Sequence, residues 1–137
     1  MGIIAKKIET DQAPKAIGPY SQGVSLSSTK EIIFVSGQLP IDPKTSKLIE
    51  GDMQAQTRLV IDNIEAVLKK AGSSLQHVLR VDIFLKDLKR DFKSVNEEYA
   101  RRFISNPEPA RQTVQVSELP LGAPIEMSCI AYIGDKS

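Results

Sequence analysis

An apolar repeat with one-sided helical spacing constrains the fold of this chain more than any other feature. Val60, Ile61, Ile64, Val67, Leu68 and Ala71 recur three and four residues apart, which puts them on one face of an α-helix. Asp52 is placed to cap the start, Lys69 and Lys70 suit the negative end of the helix dipole, and Gly72 stops it. Asp62, Asn63 and Glu65 fall on the opposite face. Such a helix lies on a surface and needs a flat partner to cover.

The chain offers a sheet as that partner. Residues 31–36 form a continuous apolar run, as expected of a strand buried on both faces, and Gly37 ends it. A glycine there permits close approach of a ligand or another chain. In the strand expected at 78–86, Val81, Ile83 and Leu85 face one way, with Arg80, Asp82 and Phe84 facing the other. The last strand, 125–133, alternates likewise, with Ile125, Met127, Cys129, Ala131 and Ile133 opposite Glu126, Ser128, Ile130 and Tyr132. A second helix begins near Asp87 or Asp91 and runs to Ile104, with Phe92, Val95, Tyr99 and Phe103 as its buried stripe and Asn96 beside it. Pro107 and Pro109 then break the chain, and a strand starts at Arg111, with Arg111, Thr113 and Gln115 on one face.

Lesser elements are an edge strand over 3–9, a loop with Pro14 and Pro19, a short strand over 20–26, a turn at 27–30, a proline loop over 39–43 and a polar turn over 44–47. No linker or repeat divides the 137 residues, so 1–137 reads as a single domain. The order is strands, helix, strand, helix, two strands. It predicts an α+β fold: a mixed β-sheet with both helices packed on one face. The face bearing Arg80 and Tyr132 mixes polar and apolar residues, and a second copy of the chain is expected to cover it.

Composition narrows the chemistry. A net charge of +1 supplies no electrostatic reason for a nucleic-acid or membrane partner. The single cysteine, Cys129, excludes an internal disulfide and a cysteine zinc cluster, and it has the spacing of a core residue. The single histidine, His77, argues against histidine metal sites and serine–histidine triads, and is expected to lie exposed in a linker. There is no apolar leader and no run long enough to span a membrane, so a soluble cytoplasmic protein is expected.

Three residues then stand out as candidates. Arg111 offers a planar fork of donors, the best side-chain partner for a small carboxylate. Glu126 stands at the start of the last strand, where a carboxylate can orient or deprotonate a water. Tyr20 follows Gly18 and Pro19 on a stiffened loop. Structural readings remain open for each. Arg111 and Glu126 could form an ion pair across adjacent strands, Tyr20 could be packing, and Asn96 an ordinary solvated helix residue.

Ala16-Ile17-Gly18-Pro19-Tyr20-Ser21-Gln22-Gly23, Ser36-Gly37-Gln38-Leu39-Pro40, Val95-Asn96-Glu97-Glu98-Tyr99, Pro109-Ala110-Arg111 and Ile125-Glu126-Met127 occur in this order. Together they resemble the RidA family, also called YjgF/YER057c/UK114, over about residues 13–132. The resemblance implies a chorismate-mutase-like α+β fold and a homotrimer with clefts between subunits. It implies hydrolysis of reactive imines, in exchange with enamines, to a 2-oxo acid and ammonia, without metal or organic cofactor. Those substrates are 2-iminobutanoate and 2-iminopropanoate, the latter exchanging with 2-aminoacrylate. By resemblance Arg111 holds the substrate carboxylate, Glu126 positions the attacking water, and Tyr20, Ser36, Gly37 and Asn96 line the cleft. Thr113 stands where some members carry cysteine, and Ser128 where many carry a second acid. Two other readings accompany the enzyme: a non-catalytic trimer that senses 2-oxo acids, and an RNA-directed translation inhibitor or ribonuclease. A chaperone-like role leaves no trace in the sequence.

Overall fold

Each helix is set by its ends and by one apolar stripe. In the computed structural model, which describes residues 5–26 and 30–134, α1 spans Met53–Lys70 and α2 spans Leu88–Arg102. The Asp52 carboxylate accepts the Ala55 N–H at 2.8 Å, and that of Asp87 accepts the Arg90 N–H at 3.1 Å, so both first turns are capped. Gly72, at φ +87°, lets the chain leave α1 in a left-handed turn. Val60, Ile61, Ile64 and Leu68 of α1 and Val95 and Tyr99 of α2 are buried, whereas Val67 and Ala71, expected on the same α1 face, are exposed: the arc of the helix that the sheet covers is narrower than the apolar repeat.

The strands are β1 (Ala5–Ile8), β2 (Gly23–Leu26), β3 (Ile32–Gln38), β4 (Ile41–Asp42), β5 (Lys47–Leu48), β6 (Val78–Leu85), β7 (Ala110–Gln115) and β8 (Ile125–Tyr132). Four of them form the main sheet in the order β3-β8-β6-β7. Within this sheet β6 and β7 pair in parallel, and α2 is the crossover between them. The last strand, β8, enters between β3 and β6, antiparallel to both. Val81 stands opposite Cys129 on one side and Arg111 on the other, so these three share a face. Ile83, Met127 and Thr113 form the next such row. Both helices lie over this face, and the buried core is built from it: Val35, Val81, Ile83, Leu85, Ile125, Met127 and Cys129 against the α1 and α2 stripes. The mixed sheet with two helices on one face is the α+β arrangement expected from the sequence.

The other face is open in the single chain. Phe34, Ile130, Arg80 and Ala110 form one row across it, and Glu126, Phe84 and Val114 another. Phe34 is 75% exposed there. This corrects the expectation that 31–36 is buried on both faces: Val35 is in the core, while Ile32 and Phe34 point away from it. Nor does Gly37 end the strand. Pairing runs on to Gln38 through a bulge, because Val35 pairs with Cys129 and Gln38 with Met127, three residues advancing against two.

Other departures are local. The segment 20–22 bends, so β2 starts only at Gly23; with β1 it makes a separate antiparallel pair. The region read as loop and turn over 39–47 instead carries the two-residue strand β4 and the start of β5, which pair with each other. Asn63 holds this hairpin to α1 by donating to the Leu39 and Ile41 carbonyls at 3.1 and 3.0 Å. His77 is half-buried and stacked on Tyr132, with ring centroids 4.7 Å apart, rather than exposed in a linker. Residues 3–4 of the expected edge strand and 27–29 of the expected turn fall outside the described residues.

Candidate functional site

Strand parity decides where each candidate goes. Arg111 is in register with Val81, Glu126 with Phe84, and β6 has no irregularity between the two. The two side chains therefore leave opposite faces of the sheet. Strand β6 also stands between β7 and β8, so the ion pair across adjacent strands does not form within one chain. The candidates divide into two groups.

The first surrounds Arg111. Its Nη1 donates to Asn96 Oδ1 at 2.7 Å. Its guanidinium carbon lies 4.8 Å from the centre of the Tyr99 ring and 5.7 Å from that of Tyr20, within cation–π reach. Burial pulls the Arg111 guanidinium below its ordinary value, opposed by the neighbouring Tyr99 and Tyr20. An arginine starts so high that it stays charged at neutral pH. Burial also pushes the Tyr99 hydroxyl far up, so it remains a neutral phenol. Arg111, Asn96, Tyr20 and Thr113 line a cavity of about 280 Å³ whose wall includes Ile17, Gly18 and Phe92. Thr113 Oγ1 is buried without a hydrogen-bond partner, as is the Tyr99 hydroxyl. An unpaired buried hydroxyl costs roughly 1–3 kcal/mol, so the Thr113 hydroxyl is a ready partner for a bound polar group.

The loop carrying Tyr20 is pinned from two sides. The Gln22 amide donates to the Thr10 and Pro14 carbonyls at 3.0 and 2.7 Å and accepts the Thr10 N–H at 2.7 Å. The Ser21 N–H donates to the Pro109 carbonyl at 3.1 Å, and its hydroxyl to the Glu108 carbonyl. Sequence reasoning assigned these two residues no role, although both lie in the loop motif. They hold the loop against the entry to β7, beside Arg111. The Tyr20 hydroxyl accepts the Ile17 N–H at 3.2 Å, so it braces its own loop.

The second group is Ser36, Gly37 and Glu126. Gly37 sits in the β3 bulge, and a Cβ there would lie 2.7 Å from the Glu126 carboxyl carbon, so any other residue would push that carboxylate from its place. Glycine leaves room for the Glu126 carboxylate against the bulged backbone. Among the described residues no hydrogen bond or ion pair holds Glu126. Ser36 and Gly37 are both exposed. A second cavity of about 400 Å³, lined by Gly37, Leu39, Asn63 and Val67, opens on the outer edge of β3.

Phe92 was expected in the buried stripe of α2, but it is 40% exposed and faces the Arg111 cavity. The real stripe takes in Asp91, Val95, Glu98 and Tyr99. Glu98 is buried because Arg58 and Arg101 reach it at 3.1 and 2.7 Å. Burial pushes the Cys129 thiol up to about 12, so it is inert core. Among the described residues no cluster of histidine, cysteine, aspartate or glutamate could hold a metal, and no helix is long and apolar enough to cross a membrane.

Residues 10–133 match the family described as Endoribonuclease L-PSP. The chain is 52% identical to Protein DfrA of Myxococcus xanthus over 92% of its length and 94% of that protein's. It is 43% identical to Reactive Intermediate Deaminase A, chloroplastic, of Arabidopsis thaliana, over 92% of this chain and 65% of that one. Its fold is similar to that of E. coli TdcF with bound serine, with a TM-score of 0.69 at 39% identity, covering 94% of this chain and 99% of that one. Sequence match and shared fold both lead to one assignment: the chain belongs to the Endoribonuclease L-PSP family, the RidA (YjgF/YER057c/UK114) family whose motifs it carries.

Proposed function

We propose that this protein hydrolyses 2-imino acids to 2-oxo acids and ammonia. The observation that carries the reading is Arg111, oriented by Asn96 and open to a cavity that also exposes it to Thr113 and Tyr20. A guanidinium so fixed offers its remaining donors to one carboxylate in a bidentate pair. The name of the Arabidopsis relative supports the reaction class, and the serine in TdcF supports a small α-amino or α-imino acid as the ligand type.

The imine carbon is itself an electrophile. Water adds to the C=N bond of 2-iminobutanoate or 2-iminopropanoate, a proton reaches nitrogen, and the carbinolamine collapses to C=O as ammonia leaves. In this scheme Arg111 holds the carboxylate and Glu126 places the water and takes its proton. Tyr20, Asn96, Thr113, Ser36 and Gly37 line the cleft. Positioning of this kind supplies much of the rate for a reaction of modest barrier.

Because Arg111 and Glu126 leave opposite faces of one sheet, the reading requires Glu126 from another copy. Phe34, 75% exposed, with Ile32 and Val114 on the same open face, supplies apolar surface for such a contact. A head-to-tail contact that closes on itself makes a ring, and a homotrimer with three clefts is the proposed assembly.

Release of ammonia and 2-oxo acid, with the imine generated in place by a pyridoxal-phosphate dehydratase, tests the reading. Wild type is expected to speed release, and Arg111→Ala to lose about 100-fold, roughly the value of two charge-assisted hydrogen bonds. If wild type binds 2-oxo acids but does not speed release, the cavity is a sensor and the enzyme reading fails.

A further inference from the structure

We propose that Phe92, with Ile17 opposite the clamp, is the wall that reads the substrate's side chain and favours apolar chains of several carbons over the shortest. The inference rests on the deaminase reading of the Arg111 cavity and adds the residues that set its preference. Phe92 is 40% exposed on a helix whose neighbouring residues Asp91 and Val95 are buried, and Ile17 is 92% exposed at the tip of the pinned loop. Single exposed apolar residues are ordinary. Here two of them border the same cavity as the one cation that would anchor a ligand.

The spacing fits a side chain. Phe92 lies one helical turn before Asn96, so their Cβ atoms are about 5–6 Å apart on one face of α2. Asn96 in turn touches Arg111 at 2.7 Å. A carboxylate held by Arg111 therefore shares its cavity with the Phe92 ring, and a longer apolar side chain can cover more of that ring than a lone methyl group. The cavity is also larger than the shortest substrate. Its 280 Å³ is many times the roughly 10–15 Å³ that one water-sized group requires on the same measure. Its polar groups include Arg111 with Asn96 against it and Thr113 on the same strand face, while Phe92 and Ile17 supply apolar wall. Removing an apolar wall from such a pocket changes discrimination by roughly tenfold or more per lost contact.

The test compares 2-oxopropanoate with 4-methyl-2-oxopentanoate by calorimetry on wild type, Phe92→Ala, Phe92→Leu and Ile17→Ala. The same chains are assayed on the imines that an amino-acid oxidase makes from alanine and leucine. Wild type is expected to prefer the longer acid. Phe92→Ala should cut that preference about tenfold, Ile17→Ala should cut it less, and Phe92→Leu should restore most of it. A structural role for Phe92 would weaken both ligands together and leave their ratio unchanged, which would overturn the proposal, as would a wild type that prefers the shorter acid. If wild type binds with the expected length preference but turns over neither imine, the deaminase reading falls while the wall stands. If it turns over both with no length preference, the wall falls and the reading stands.

Discussion

The surroundings of Arg111 and of Glu126 are built in opposite ways. Around Arg111, Asn96 fixes one nitrogen, two rings flank the guanidinium, and Gln22 and Ser21 pin the loop that brings Tyr20. Glu126 stands on the open face against a bulged strand, with no side-chain partner among the described residues. On the proposed reading the difference separates two tasks. A guanidinium gains from being locked before a carboxylate arrives, because its fork must match two oxygens at once. A carboxylate meant to hold water needs its lone pairs free, and on an open apolar face it gains its final environment only when another surface covers it.

The sharpest way to break this contrast is to separate the two groups genetically. Glu126→Gln should lower kcat by about 100-fold, within the range of general-base catalysis, with 2-oxo acid affinity nearly kept. Refolded together in equal amounts, Glu126→Gln and Arg111→Ala chains should recover about a quarter of wild-type turnover. In a closed head-to-tail ring one cleft in four then joins an intact Arg111 to an intact Glu126. No recovery would mean that each chain works alone, and the division of the site between copies would be wrong.

A smaller effect probes the locked side. Asn96→Ala frees the Arg111 Nη1 now held at 2.7 Å. One charge-assisted hydrogen bond is worth roughly 1.5–3 kcal/mol, so KM should rise about tenfold or more while kcat changes little. An unchanged KM would show that Tyr99 and Tyr20 alone orient the guanidinium.

The smallest expected effect lies away from both regions. Burial lowers the pKa of His77, whose Nδ1 is buried without a partner beside Tyr132. The unfolded chain then binds more protons than the folded one near the ordinary value of 6.5. Stability is present above that pH and falls as pH drops through it. Thermal melts should show a slight loss between about pH 7 and 5, and His77→Phe, which keeps a ring on Tyr132, should flatten it. If catalytic pH dependence followed the same variant, the separation of this region from the cleft would not stand.

Much of the scaffold was readable before any coordinates. Four of the six residues of the α1 stripe, the cap at Asp52, the start of α2 near Asp87, the alternation in β6 and β8 and the shared face of Arg111 and Thr113 are local patterns, and the structure has them. The failures share a cause. Phe92 was placed in the α2 stripe because its spacing fits; Val95, Tyr99 and Phe103 of that stripe are buried, but Asp91 and Glu98 join them in place of Phe92, each held by arginine. Spacing names a stripe only to within one residue position, and the ion pairs that permit buried acids are not visible in a pattern of apolar residues. Phe34 was placed in a doubly covered strand because its neighbours are apolar, yet burial depends on what lies above each face.

The sequence by itself determined the helices, the alternation of the central strands, the break at Pro107 and Pro109 and the set of residues able to do chemistry. These follow from backbone geometry and from periods of 3.6 and 2, which act over a few residues. Only the tertiary structure decided that β8 enters between β3 and β6, that β3 bulges at Gly37, and that Arg111 and Glu126 leave opposite faces. Register is a property of two strands together, and a shift of one residue turns every side chain to the other face, so no single segment can carry that information.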